Sequence, residues 1–91
     1  MSTVYVPVVV DHIYRELPLA TYIQIRRRQL GLTISQAAEL SGLTFSEWCG
    51  LEIGWVPEKS SNLFYAIASV LEASTTTIIL LADRQRQTIA A

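Results

Sequence analysis

The chain has 91 residues, 51% of them hydrophobic and 16% charged, with seven Lys and Arg against eight Asp and Glu for a formal net charge of −1. That length holds one domain with one core, and a mean hydropathy of +0.32 leaves little polar surface to spare, so a second copy or a partner is expected to cover some apolar area. The charge balance excludes a binder that attracts nucleic acid through its global field, and the single cysteine excludes an internal disulfide and any multi-cysteine metal site, which fits a reducing, cytoplasmic setting.

Thr3-Val4-Tyr5-Val6-Pro7-Val8-Val9-Val10 is β-branched and aromatic, and reads as a strand that Pro7 confines to an edge or a bulge. The run has no charged start, is interrupted by Pro7 and stops at Asp11, so it reads as neither signal peptide nor membrane span. A lone strand cannot satisfy its own backbone donors. Either it pairs with the same strand of a second subunit, as a ribbon across a dimer axis, or it lies as an extended arm over the helices. The expected organisation is thus a strand or arm over 1–17, a possible dimerisation element, then a helical domain over 18–86 and a frayed tail over 87–91.

Pro18 suits the first position of a helix over 18–30, because its missing N–H has no partner there, and Gly31 is the stop. Leu19, Tyr22, Ile23, Arg26 and Leu30 share one side by the spacing of three and four, and an inward arginine there calls for a carboxylate. Arg28 is the outward member of Arg26-Arg27-Arg28 and reads as part of a solvated face. Thr33 with Gln36, and Thr44 with Glu47, each spell a capping box; Gly42 ends the second helix, Gly54 the third, and Leu43 wedges beneath the turn between them. Ser60 or Ser61 caps a fourth helix with Leu63, Phe64, Ile67, Val70 and Leu71 as a buried spine. Ser74 and Thr75-Thr76-Thr77 then cap a fifth, from Ile78 to about Gln85.

Little here supports catalysis. His12 stands alone, with no Cys, His or acidic residue at metal spacing, so no metal is expected. Cys49 lies inside a helix without a neighbouring His or Lys to stabilise a thiolate, and no glycine-rich loop with a lysine is present to cradle a nucleotide. Neither an enzyme nor a cofactor is expected.

On a wheel at about 100° per residue, Trp48 and Leu51 point the third helix inward. The opposite face carries Ser46, Cys49, Gly50 and Ile53, flanked by Phe45. Gly50 in mid-helix costs roughly 1 kcal/mol relative to Ala, and close approach of another backbone or helix is one reason to keep it. Trp55 and Val56 either extend this apolar patch or fold back over the fourth helix as core.

Leu30-Gly31-Leu32-Thr33, Ala37-Ala38, Gly42-Leu43, Leu51-Glu52-Ile53-Gly54 and Pro57 together resemble the phage-repressor (Cro/C1, or XRE) helix-turn-helix family, over about Leu19 to Leu81. The resemblance implies an all-α, five-helix lambda-repressor-like helix-turn-helix domain, here with an N-terminal β-strand or extended arm, whose third helix lies in the major groove. It also implies an ion pair between the first helix and the end of the third, which falls on Arg27 and Glu52. The function implied is that of a small homodimeric transcriptional regulator binding double-stranded DNA, with no membrane involvement. Its contact set is Thr33, Ile34, Thr44, Phe45, Ser46, Cys49, Gly50, Ile53, Trp55 and Lys59. Those residues depart from the family's usual chemistry. Base-edge readout needs bidentate donors and acceptors, and the groove-facing positions supply one hydroxyl, that of Ser46. Ile34 stands where the family usually has Gln, and the loop before Pro57 is one residue shorter than usual. A second reading follows from the same residues, in which the scaffold is kept and the apolar face docks a protein partner instead of reading DNA.

Overall fold

The computed structural model describes residues 18–57 and 61–90. They form five α-helices: α1 (Leu19–Gln29), α2 (Ile34–Ser41), α3 (Phe45–Ile53), α4 (Ser61–Leu71) and α5 (Thr75–Ala90), with no strand among the described residues. The strand or arm expected over 1–17, with His12, and likewise Lys59 and Ser60 lie outside the described residues.

Helix starts follow local chemistry. Pro18 is the N-cap of α1 rather than its first helical residue, with extended backbone (φ −59°, ψ 151°) and no side chain to cap the turn. The donor left open at Ala20 is instead met from far along the chain, where Gln85 Oε1 accepts its N–H at 3.1 Å. Helices α2 and α3 both open on complete capping boxes, Thr33 with Gln36 and Thr44 with Glu47. Between them Gly42 takes a left-handed conformation (φ +80°), which lets its own N–H and that of Leu43 reach back to α2 carbonyls and turns the chain into α3. A side chain there would meet no neighbour, so glycine answers a backbone requirement and not a spatial one.

Glu72 ends α4 in the same left-handed region, at φ +53°, with Ala73 N donating to Ala68 O at 2.9 Å. The inward Arg26 completes that terminus. It does not meet the carboxylate expected for it; its Nη2 donates to Leu71 O at 2.9 Å and its Nη1 to Gln29 Oε1 at 2.8 Å. A guanidinium at the carbonyl end of α4 faces the negative end of that helix's dipole, which supplies the counter-charge a carboxylate would have given. Helix α5 starts at Thr75, with Ser74 Oγ accepting from Thr77 N at 3.0 Å, and continues to Ala90, beyond the end expected near Gln85. Long-range bonds explain the extension: Gln85 Nε2 donates to Gly54 O at 3.0 Å and Arg86 Nη2 to Pro57 O at 2.6 Å, so the later turns of α5 are held against the segment that follows α3.

The buried core draws on every helix: Leu19, Tyr22 and Ile23 from α1, Ala37 and Ala38 from α2, Trp48 and Leu51 from α3, Phe64, Ile67, Ala68 and Leu71 from α4, and Ile78, Leu81 and Ala82 from α5. Each large apolar side chain in it contributes about 1.5–3 kcal/mol of transfer free energy. Helix α3 packs on α1 and α2, while α4 packs on α2, α1 and α5. Leu43 and Val56 close the core at the two ends of α3. Among the described residues no single helix is long and apolar enough to cross a membrane.

Candidate functional site

Trp48 and Leu51 are fully buried, and their position fixes the rotation of α3 about its axis. What remains outside is the face carrying Phe45, Ser46, Cys49, Gly50 and Ile53. Ile53 is 86% exposed and Phe45 55%, Ser46 is exposed, and Cys49 is half-buried. Two apolar side chains and one hydroxyl therefore dominate the surface that α3 presents.

Past Ile53 the chain turns at Gly54, whose φ of +125° lets both its own N–H and that of Trp55 donate to Gly50 O, at 3.1 and 2.8 Å. The turn lays Trp55 across Gly50. A β-carbon built on Gly50 would sit 3.5 Å from Trp55 Cβ and 3.6 Å from its ring, which is ordinary van der Waals contact. Gly50 is thus covered by a side chain, not by an approaching backbone or helix, and there is room for a methyl group. The two residues after Gly54 divide: Trp55 stays 42% exposed and continues the α3 patch, while Val56 is half-buried against the core.

The remaining contact candidates separate by exposure. Thr33 and Thr44 are exposed, and each hydroxyl accepts the N–H three residues on, from Gln36 and Glu47, at 3.0 Å. The hydroxyl hydrogens stay available as donors. Glu47, the acidic residue in the first turn of α3, is engaged by its own cap, with Oε1 accepting from Thr44 N at 2.8 Å. Ile34, expected among the contact residues, is half-buried and packs against the core, so apolar burial uses the side chain that a phosphate clamp would need. Arg28 is exposed on α1.

Behind the face, Arg27 and Glu52 form a bidentate ion pair that ties α1 to the end of α3. Arg27 Nε reaches Glu52 Oε2 at 2.5 Å and Nη2 reaches Oε1 at 3.0 Å, with side chains only 10% and 5% exposed. Trp48 Nε1 donates to the same carboxylate at 2.7 Å, and Arg27 Nη1 donates to Leu32 O at 2.8 Å, so almost every polar atom of the cluster is matched. Burial pushes the Glu52 carboxyl up, but the hydrogen bonds from Arg27 and Trp48, with the Arg27 charge, outweigh it and hold the group below the ordinary carboxylate range. The hydrogen bond to Glu52 likewise raises Arg27 above its usual value.

Sequence reasoning missed three contributors. The Trp48 indole N–H, four residues before Glu52 on the same helix, was signalled by that spacing. Gln85 and Arg86 had no such signal, since they act on carbonyls about thirty residues away in the chain. Among the described residues no group of three His, Cys, Asp or Glu side chains is placed to hold a metal ion. A shallow groove of about 380 Å³ is lined by Leu30, Leu32, Leu40, Ser69, Val70 and Glu72. No family model, curated protein or solved structure matches this chain.

Proposed function

We propose that the protein is a small homodimeric DNA-binding regulator of the phage-repressor type, with α2 and α3 as its helix-turn-helix and α3 as the helix that enters the major groove. One observation carries this reading: α3 is fastened at both ends, by the Thr44 capping box and by the Arg27–Glu52 pair, while Phe45, Ser46 and Ile53 on its outward side stay exposed. Groove entry needs a rigid helix with a free face. The exposed hydroxyls of Thr33 and Thr44, with the N-terminal N–H groups of their helices, suit phosphate oxygens, and Arg28 and Lys59 add local positive charge. With a net charge of −1, affinity is local and modest. On this reading the protein works without a cofactor in the cytoplasm, with the segment before α1 as the candidate dimerisation element.

The test is fluorescence anisotropy of labelled duplex DNA at about 50 and about 200 mM salt, where phosphate-driven binding must weaken steeply as salt rises. Absence of binding at the lower salt refutes the reading. Removal of residues 1–10, followed by light scattering, checks the dimer: a mass that falls to that of a monomer supports strand pairing, and an unchanged assembly refutes it.

The second reading, a protein-docking module on the same scaffold, is favoured by the exposure of three large apolar side chains on or just after α3, Phe45, Ile53 and Trp55. It takes over if duplex DNA is not bound.

A further inference from the structure

We infer that the outward face of α3 selects duplexes by the C5-methyl groups of pyrimidines in the major groove, thymine foremost, and not by hydrogen bonds to base edges. The inference rests on the DNA-binding reading above and deepens it by naming what the face recognises.

Little on this helix can write a hydrogen-bond code. The face contains no Arg, Lys, Asn or Gln, the side chains that make bidentate contacts to guanine or adenine. Glu47, which could accept from cytosine N4, has Oε1 turned back to the Thr44 N–H at the start of the helix. Gly50 has no side chain and lies under Trp55, and the Cys49 thiol is a weak donor and half-buried. Ser46 is left, and a hydroxyl pairs with either kind of base atom and so separates them poorly.

Apolar contact is what the face does offer. Phe45 is the first residue of α3, at the end of a reading helix whose residues reach base edges, and it is 55% exposed. The major groove displays one apolar group, the methyl on C5 of thymine, which 5-methylcytosine shares. Burying one such methyl against an aromatic ring is worth about fourfold in affinity.

The experiment compares an alternating A·T duplex with the same duplex carrying uracil at every thymine, which removes the methyl and leaves the hydrogen-bonding edges intact. A second pair carries C·G steps with cytosine or 5-methylcytosine. All four are titrated by anisotropy at about 50 mM salt with the full chain and with Phe45→Ala, whose fold is checked by circular dichroism. Expected is a preference of about fourfold or more for thymine over uracil, a similar gain on cytosine methylation, and loss of both preferences in Phe45→Ala with affinity for the uracil duplex unchanged. A preference for thymine without one for 5-methylcytosine upholds the inference for thymine and removes the methylated base from it. Equal binding of thymine and uracil duplexes, or a preference that survives Phe45→Ala, overturns the inference while leaving DNA binding standing. Failure to bind any of the duplexes overturns the DNA reading and this inference together.

Discussion

Replacing Glu52 with Gln tests the cluster that anchors α3. The carboxylate accepts two hydrogen bonds from Arg27 and one from Trp48, with only 5% of its side chain exposed. The amide keeps one acceptor oxygen and brings an NH2 group into a site lined by donors, while the Arg27 charge stays buried without its counter-ion. Breaking a buried pair from one side costs about 3–5 kcal/mol, of which an orphaned Trp48 N–H accounts for about 1–3. Because a domain of this size has roughly 5–15 kcal/mol in total, the variant should be near the edge of folding. Urea denaturation followed by far-UV circular dichroism measures the loss. A second variant, Arg27→Met with Glu52→Leu, removes both charges and should recover the part of the loss that comes from the unpaired buried charge, though not the part from the Trp48 N–H. Acid titration gives an independent readout. The Glu52 carboxyl is lowered on folding, so its contribution is fully present above its unfolded value of about 4.5 and is lost as pH falls through the folded value. Glu52→Gln should remove this part of the acid sensitivity. A loss below about 1 kcal/mol in Glu52→Gln, or a double variant no better than the single one, would refute the claim that the pair is buried and structural.

Gln85→Ala should cost about 2 kcal/mol in urea denaturation, since it strips partners from the Ala20 N–H and the Gly54 carbonyl; a neutral result would mean water replaces both bonds. Glu72→Gly should raise the melting temperature, with a gain of about 0.5–1 kcal/mol, because relief of the left-handed strain exceeds the added chain entropy, and a lower melting temperature would refute that balance. Gly50→Ala should also stabilise, by up to about 1 kcal/mol, as the methyl meets Trp55 at ordinary contact distance; destabilisation would show that Trp55 cannot accept it. Ser46→Arg should tighten nonspecific DNA binding in anisotropy and leave the dimer mass unchanged, whereas a loss of self-association in light scattering would favour the docking reading.

What could be read from the sequence was what acts locally. The two capping boxes span four residues each, and Gly42 and Gly54 mark turns whose backbone angles other residues resist, so the ends of α2 and α3 were visible before any packing was known. The wheel of α3 was legible because Trp48 and Leu51 are the large apolar residues at helical spacing, and both are buried. Arg27 and Glu52 were matched through family resemblance, and the structure brings them together. Side-chain bonds to distant backbone left no pattern to read. Arg26 looked like a charge in need of an acid because the end of α4, whose carbonyls it meets, is 45 residues away in the chain. The extent of α5 was underestimated for the same reason, since nothing local marks Gln85 and Arg86 as anchors until Gly54 and Pro57 are known to lie beside them. Glu72 was invisible as a helix terminator because left-handed backbone is ordinarily left to Gly or Asn.

The amide of Gln85 touches two places at once, the opening turn of α1 and the glycine that closes α3, and Arg86 holds the same exit segment through Pro57. This makes α5 the element that fixes where α1 begins and where α3 ends. Loss of the Gln85 amide therefore frees two distant termini in a single event, so the opening of α1 and the exit of α3 should loosen as one unit and not separately.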